Sequence, residues 1–268
     1  MKINLKDYCC QGVDREVETV TITHEQLSIP VEGTSCKTLV FSPLGNRPSH
    51  PIIALIGVTP GSQADLFRRL LQSGKSPDEA AHIAAFSSGQ DEIKAILRAH
   101  GFAERLGLDL DAYPSLNDNP NILTTSVMKC SIQDSGDYRF ASPDLIKLAP
   151  ARHCARKRLL PDLKAHTQTL RAAVVFGDDA WAMMQQMMIG ESTLGQTIEE
   201  LGIKLFHMPH FSTCTQRRDI YKQPANMVDA FIEQKALQGK LSFPRYRPKA
   251  DAMRAAVCDA LDSICSSP

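Results

Sequence analysis

The chain has 268 residues, which is enough for one α/β domain with a sizeable core or for two small domains. Hydrophobic residues make up 43% and charged residues 22%, as in an ordinary globular protein, and the formal net charge is zero. A balanced charge excludes a protein that coats nucleic acid through general basicity, but it leaves a local basic face open.

The N-terminus and the cysteines bear on the compartment. MKINLKDYCCQG lacks the apolar core of a secretory signal, and no apolar run reaches the length of a membrane span. We therefore expect a cytoplasmic protein that does not associate with a membrane. Eight cysteines in that compartment are more typical of free thiols or metal ligands than of disulfides, and none forms a C-x-x-C pair.

Apolar segments of strand length alternate with helical patterns along the chain. Residues 52–56 are continuously apolar and β-branched, as in a central strand buried on both faces. Predicted strands lie at 37–41, 52–56, 121–128, 172–176 and 203–208. Predicted helices lie at 64–73, 77–85, 91–100, 143–148, 154–170, 179–188, 224–238 and 250–264.

This alternation predicts an α/β fold, with helices on both faces of a short, mostly parallel four-stranded sheet. We expect one domain over residues 1–268, with a core at about 37–235 and helical extensions at both ends. Ligands of such folds bind outside the carboxyl ends of the strands. Three predicted strand ends, 57–63, 126–130 and 207–212, carry polar or glycine residues, and we expect them to converge on one crevice.

Each strand-end motif also has a structural explanation. Residues 57–61, GVTPG, suit a tight turn whose glycines relieve strain, and they match no phosphate-binding fingerprint. Phe86 belongs in the core by default, although the Ser-Ser-Gly loop after it permits stacking on a ligand. A lone histidine is usually structural, but the place of His210 just past a strand favours a function.

Together these segments resemble the uracil-DNA glycosylase superfamily, particularly its bacterial branches. Residues 57–65, GVTPGSQAD, are similar to the family's G-E-A-P-G-x-Q-E-D loop, and residues 125–130, TSVMKC, resemble T-N-x-V-K-C. Residues 173–177 match the third strand, and residues 209–212, PHFS, resemble the H-P-S motif of the loop that enters the DNA minor groove. The resemblance covers residues 50–235 and implies a three-layer α/β/α sandwich.

The resemblance also implies roles for individual residues. His210 would donate a hydrogen bond to the leaving base. Asp91 is the first candidate for placing the attacking water, and Gln63 and Asp65 are the next candidates. The expected base-binding residues are Gly57, Val58, Thr59, Pro60, Gly61, Phe86 (the stacking aromatic) and Ser126. The expected DNA contacts are Phe211, Ser212, Thr213, Gln216, Arg217 and Arg218. DNA is the expected partner of a monomeric protein.

Departures from the family pattern concern activity and substrate choice. Val58 and Thr59 stand where active branches carry Glu, Asp or Asn, and Ser126 stands where Asn reads uracil. Gly61 stands where the strictest uracil enzymes place a Tyr that blocks C5 substituents. We therefore expect a flipped base other than uracil, namely a bulky 5-substituted cytosine such as phage DNA carries, excised as an anti-phage defence.

Three alternatives remain open from the sequence. They are a uracil-excising repair glycosylase, a catalytically inactive DNA-binding relative and, last, a nucleotide-binding oxidoreductase, which would need a glycine fingerprint that is missing. Some branches of the family hold an iron–sulfur cluster through an N-terminal C-x-x-C and two later cysteines. Cys130 and Cys154 match only the later pair, so we expect no cofactor, with these two cysteines as the weaker alternative for a metal.

Overall fold

The computed structural model describes residues 2–4, 16–31, 37–134, 142–211, 216–238 and 246–266. Within these residues the chain divides into two compact units. The first unit spans Met1–Ser87 and Pro120–His207, and the second spans Ser88–Asn119 and Met208–Pro268. The expectation of a single domain stays a prediction.

The strands are, in chain order, β1 (Lys2–Asn4), β2 (Glu16–Glu18), β3 (Ser28–Pro30), β4 (Lys37–Val40), β5 (Ile53–Gly57), β6 (Ile122–Ser126), β7 (Ser131–Asp134), β8 (Ala172–Phe176), β9 (Met188–Ile189), β10 (Ser192–Thr193) and β11 (Lys204–Met208). The helices are α1 (His24–Leu27), α2 (Gln63–Gln72), α3 (Pro77–Ala84), α4 (Gln90–Ala99), α5 (Phe102–Arg105), α6 (Ser142–Lys147), α7 (Ala149–Cys154), α8 (Leu160–Lys164), α9 (Asp178–Gln186), α10 (Leu194–Glu199), α11 (Val228–Leu237) and α12 (Arg247–Cys265).

Four of these strands form the central sheet, in the order β11-β8-β5-β6. β5 pairs in parallel with β6 and β8, and every residue of these three strands is buried. A parallel strand covered on both faces has no solvent side, which explains its unbroken apolar sequence. The α/β class and the parallel four-stranded sheet with surrounding helices are thereby confirmed.

Local sequence signals explain where several helices begin. Ser76 and Glu79 form a reciprocal capping box at the start of α3, with Pro77 in the first helical turn, as predicted. Thr193 and Gln196 form an equivalent box at the start of α10. That second signal was present in the sequence, but α10 was not predicted.

The helix predicted at 154–170 differs from the structure at both ends. Helical structure begins with α7 at Ala149 and ends with α8 at Lys164, and a π turn at Ala155–Leu159 joins the two helices. Pro161 has no N–H to donate, and its ring would clash with the carbonyl group four residues earlier in a regular α-helix. The wider π turn just before it relieves that conflict.

The N-terminal extension, predicted to be helical, carries mostly strands in the part that the structure describes. β1 pairs with β2, and β3 pairs with β4, which also pairs with β7. The alternating apolar residues of EVETVTI favour strand over helix. At the other end, α12 confirms the predicted C-terminal helix.

The second unit has its own small core. Ile220, Tyr221, Val228 and Ala250 are buried together. The first two lie on a 3₁₀ segment, Gln216–Lys222, and the other two begin α11 and lie in the first turn of α12. This core anchors the 3₁₀ segment that begins with the predicted DNA contacts.

Candidate functional site

The carboxyl ends of three neighbouring strands place an aromatic wall on one face of the sheet. Gly57 at the end of β5 is paired with Ser126 on β6, and Ile56 before it is paired with Val175 on β8. Side chains of paired residues project from the same face, so Ser126 shares the face of Gly57 with Phe176, the residue after Val175. Phe176 was not predicted as a site residue.

Phe86 lies over this face. A Cβ atom built on Gly57 would be 3.6 Å from Cζ of Phe86, an ordinary van der Waals distance, so the ring lies directly against the end of β5. The rings of Phe86 and Phe176 meet edge to face, with 6.4 Å between centroids. Phe86 is 8% exposed. The structure thus brings together three of the predicted residues, Gly57, Phe86 and Ser126.

The backbone of Phe86 is held in an unfavourable conformation. Its φ of +52° is the single positive φ of a non-glycine residue among those described, and such a conformation costs about 1–3 kcal/mol. Its N–H donates to Oε1 of Gln63 at 3.2 Å. In the structure the side chain of Gln63 accepts this hydrogen bond, and its predicted role in placing water stays a prediction.

The loop between Gly57 and Gln63 is fixed by its own hydrogen bonds. Thr59 Oγ1 accepts the N–H of Gly61 at 3.3 Å, and Ser131 Oγ donates to the carbonyl of Gly61 at 2.8 Å. Val58 and Thr59 are half-buried and Pro60 is buried. Gly61 adopts a φ of +57°, which favours glycine, and a Cβ there would meet no atom within 4 Å. The loop is therefore rigid, with open space at Gly61.

The hydroxyl of Ser126 already donates its proton to a hydrogen bond within the protein. Its Oγ donates to the carbonyl oxygen of Met128 at 2.6 Å, and Ser126 is 6% exposed. A hydroxyl has one proton and two acceptor lone pairs. Ser126 can therefore offer a ligand only an acceptor.

A further ring pair lies at the ends of β8 and β11. His207 is half-buried and stacks on Trp181, with 5.0 Å between centroids and 5° between planes. Its Nε2 is 3.3 Å from Oδ1 of Asp178. Trp181, the only tryptophan of the chain, was not predicted, because its meeting with His207 depends on the pairing of distant segments.

His210 and Phe211 belong to the second unit. The two rings stack at 4.4 Å between centroids, and His210 is half-buried. Phe211, predicted to contact DNA, is only 7% exposed, and a Cβ on Gly89 would overlap its ring. Phe211 therefore packs against Gly89 and stacks on the imidazole of His210, and its role as a DNA contact stays a prediction.

The other predicted residues of the second unit are placed only in part. Asp91 is exposed in the first turn of α4. Gln216, Arg217 and Arg218 begin the 3₁₀ segment, but their side chains, together with Ser212 and Thr213, lie outside the described residues. Their roles as base or DNA contacts stay predictions.

Two residues that were not predicted anchor this 3₁₀ segment to α4. His100 Nε2 lies 3.0 Å from the carbonyl of Tyr221, and Arg254 of α12 donates to the carbonyls of Ala99 and Gln223, both at 2.9 Å. Burial and, second, the positive charge of Arg254 lower the pKa of His100 from 6.5 to about 4, against the hydrogen bond to Tyr221. His100 is therefore neutral at physiological pH.

Cys130 and Cys154 are buried free thiols, and the N–H of Lys129 donates to Sγ of Cys154 at 3.1 Å. Among the described residues, no group of three or more His, Cys, Asp or Glu side chains could hold a metal ion. The two thiols thus lack further ligands in that part of the chain, while Cys9, Cys10 and Cys36 lie outside it. The metal alternative at these two cysteines stays untested.

A site at the carboxyl ends of a parallel sheet, with an aromatic over a glycine-rich loop, is the arrangement of an α/β ligand-binding enzyme. A model of the uracil DNA glycosylase superfamily matches residues 45–234, and the chain belongs to this superfamily. No curated protein and no solved structure matches the chain. Membership indicates a DNA glycosylase in general, a hydrolase that binds DNA and removes a base.

No helix in the described residues is long and apolar enough to cross a membrane.

Proposed function

We propose that the protein is a DNA glycosylase that removes a flipped, 5-substituted cytosine, such as the hypermodified cytosine of phage DNA. The main support for this substrate is the hydrogen bond that the hydroxyl of Ser126 donates to the carbonyl of Met128. By the resemblance, Ser126 stands where related enzymes read the base edge with an amide. An acceptor can receive the exocyclic amino group of cytosine, but it cannot donate to O4 of uracil. A site that cannot pair with a buried polar atom of the ligand disfavours that ligand.

Open space at Gly61 supports the same choice. In this proposal the residue lies beside C5 of the base, and beyond its two chain neighbours no described atom lies within 4 Å of a Cβ built there. A substituent on C5 would therefore meet no side chain from this position. The phage origin of the substrate, a defence role, a cytoplasmic location and a monomeric state are parts of this proposal.

The proposed chemistry assigns separate tasks to the described residues. The extruded base stacks on Phe86, which Gln63 holds through the backbone N–H. Negative charge grows on the leaving base as the glycosidic bond lengthens, and His210 donates a hydrogen bond to it. Asp91, exposed at the start of α4, is the proposed residue for the attacking water.

Oligonucleotides with one modified base test the substrate. Duplexes and single strands carrying uracil, 5-hydroxymethylcytosine or its glucosylated form are incubated with the protein, and alkali then cleaves any abasic site. We expect strand breaks with one of the modified cytosines and a loss of about 100-fold or more in His210→Ala, as when an oxyanion donor is removed. Breaks with uracil alone would refute the substrate, though not the glycosylase.

The second candidate is an inactive DNA-binding relative, and Val58 and Thr59 favour it because neither supplies a carboxylate. The same His210→Ala variant separates the two. An enzyme loses turnover but keeps most of its DNA affinity. A binding protein shows no turnover with any of the three bases before or after the substitution.

A further inference from the structure

A cavity of about 560 Å³ lies in the first unit, lined by residues to which the proposed base excision gives no role. Its walls come from the loop before β5, the start of α3, the π turn with α8, and Lys129 after β6. This volume falls within the range of small-molecule sites. The cavity is therefore large enough for a ligand of its own.

The loop wall of the cavity is rigid. Asn46 clamps the outer edge of β6, because its Nδ2 donates to the carbonyl of Ile122 and its Oδ1 accepts the N–H of Thr124, both at 2.7 Å. Gly45 has a φ of +149°, and a Cβ there would be 2.8 Å from the carbonyl oxygen of Thr124. A wall that is already ordered spares a ligand the entropy of ordering it.

Cations outnumber carboxylates by one in the described lining. Arg47, Lys129 and Arg158 line the cavity together with Asp78 and Asp162, and Arg47 and Asp78 form an exposed ion pair at 3.5 Å. Two histidines, His82 and His166, line the cavity as well. No Phe, Tyr or Trp side chain is among the described lining residues, so the only aromatic rings in this lining are the two imidazoles.

Lys129 is the most enclosed of these cations. Its side chain is 11% exposed, and Nζ lies 2.8 Å from Oδ2 of Asp162. Nζ also lies against Gly45, where a Cβ would be only 3.2 Å away. An ammonium group has three N–H donors, and the one carboxylate that pairs with it among the described residues does not use them all.

We propose that this cavity binds a phosphate group, carried either by a free phosphate ester or by the DNA backbone. The guanidinium of Arg158 would give the fork geometry that suits phosphate oxygens, and Lys129 would add a fixed charge. Pro77 and Asp78 place the start of α3 at the cavity, but the capping box of Ser76 and Glu79 already closes this helix end, so the proposal depends on the two cations. The proposal is independent of which base, if any, the protein removes.

Charge substitutions on one segment of helix give the test. Arg158 and Arg156 both lie on the π turn, but only Arg158 lines the cavity, whereas Arg156 is exposed. Binding of inorganic pyrophosphate is measured by calorimetry, and binding of an undamaged duplex by fluorescence anisotropy. We expect Arg158→Gln to weaken one of the two ligands at least tenfold, and the matched control Arg156→Gln to change neither by more than twofold.

A substitution that should strengthen phosphate binding separates a charge effect from a general loss of structure. Asp162→Asn removes the carboxylate that engages Lys129, so it should tighten phosphate binding several-fold. His166→Gln, on the same wall, is a second loss variant if Arg158→Gln does not fold, as judged by thermal unfolding.

The pattern of the results identifies the source of the phosphate. An effect on pyrophosphate supports a free phosphate ester, and an effect on the duplex alone supports the DNA backbone. The proposal is overturned if neither ligand binds, if Arg156→Gln weakens binding as much as Arg158→Gln, or if Asp162→Asn weakens it.

Discussion

At the scale of single residues, the hydrogen bond between Gln63 and the N–H of Phe86 yields the first prediction. Gln63→Leu removes the acceptor and leaves a partly buried N–H unpaired, so the free energy of unfolding should fall by about 1–2 kcal/mol. Gln63→Glu keeps an acceptor and should therefore retain most of the free energy of unfolding that Gln63→Leu loses. Urea unfolding measures both changes, and substrate kinetics should show a raised KM in Gln63→Leu. A loss of kcat with unchanged stability would instead support a role in placing water.

The engaged hydroxyl of Ser126 yields the second prediction. An Asn at this position offers both a donor and an acceptor, so Ser126→Asn should raise the preference for uracil over cytosine-type bases by about tenfold. The ratio of kcat/KM on the two oligonucleotides measures this shift. Ser62→Asn makes the same substitution at an exposed position of the neighbouring loop and should leave the ratio unchanged. An unchanged ratio in Ser126→Asn would contradict the claim that Ser126 selects the base by acting only as an acceptor.

The sequence predicted some residues of the site but not their contacts. Gly57, Phe86 and Ser126 follow from motifs and strand ends, which are local features. The bond from Gln63 to Phe86 joins residues 23 positions apart, and the burial of Phe211 depends on Gly89 in a distant segment. Hydrophobic periodicity contains no information on such pairs, which is why neither contact could be predicted.

At the scale of elements, His100 makes the stability of the contact between α4 and the 3₁₀ segment depend on pH. Its buried Nδ1 has no hydrogen-bond partner among the described residues, so a second proton would lie there without an acceptor. The pKa in the folded state, about 4, lies below the ordinary 6.5, so the unfolded chain binds the proton first as the pH falls. The contribution is fully present above about pH 6.5 and is lost between there and pH 4.

We therefore predict that the free energy of unfolding falls by roughly 3 kcal/mol between pH 6.5 and pH 4 because of this one group, at 1.36 kcal/mol per pKa unit. Urea unfolding at half-unit pH steps measures the change. His100→Asn should lack this part of the decline, whereas His153→Asn, at an exposed position of α7, should keep it. An identical decline in all three proteins would contradict the assignment to His100.

The same scale shows why some elements could be predicted and others could not. β5 was found because a strand buried on both faces must be apolar throughout. β7, with the sequence SIQD, has a single apolar residue, so periodicity could not separate strand from loop. The helix predicted at 154–170 was misplaced because Pro150, a helix-start signal, was overlooked and because Pro161 was accommodated by a π turn within the helix.

At the scale of the whole molecule, the zero net charge means that any affinity for DNA must come from local groups of cations. Arg217 and Arg218 are the proposed phosphate contacts at the start of the 3₁₀ segment, whose backbone His100 and Arg254 hold in place. Each phosphate contact releases counterions, which makes the logarithm of the binding constant fall with the logarithm of the salt concentration, by about 0.9 per contact.

We predict that Arg217→Gln and Arg218→Gln each lower this slope by about 0.9 and weaken binding to all duplex sequences alike, since phosphate contacts carry no sequence information. Fluorescence anisotropy with one duplex over a series of salt concentrations measures the slope. Arg156→Gln removes the same charge from an exposed position of the first unit and should leave the slope unchanged. Equal effects of all three substitutions would mean that DNA responds to overall charge rather than to the 3₁₀ segment.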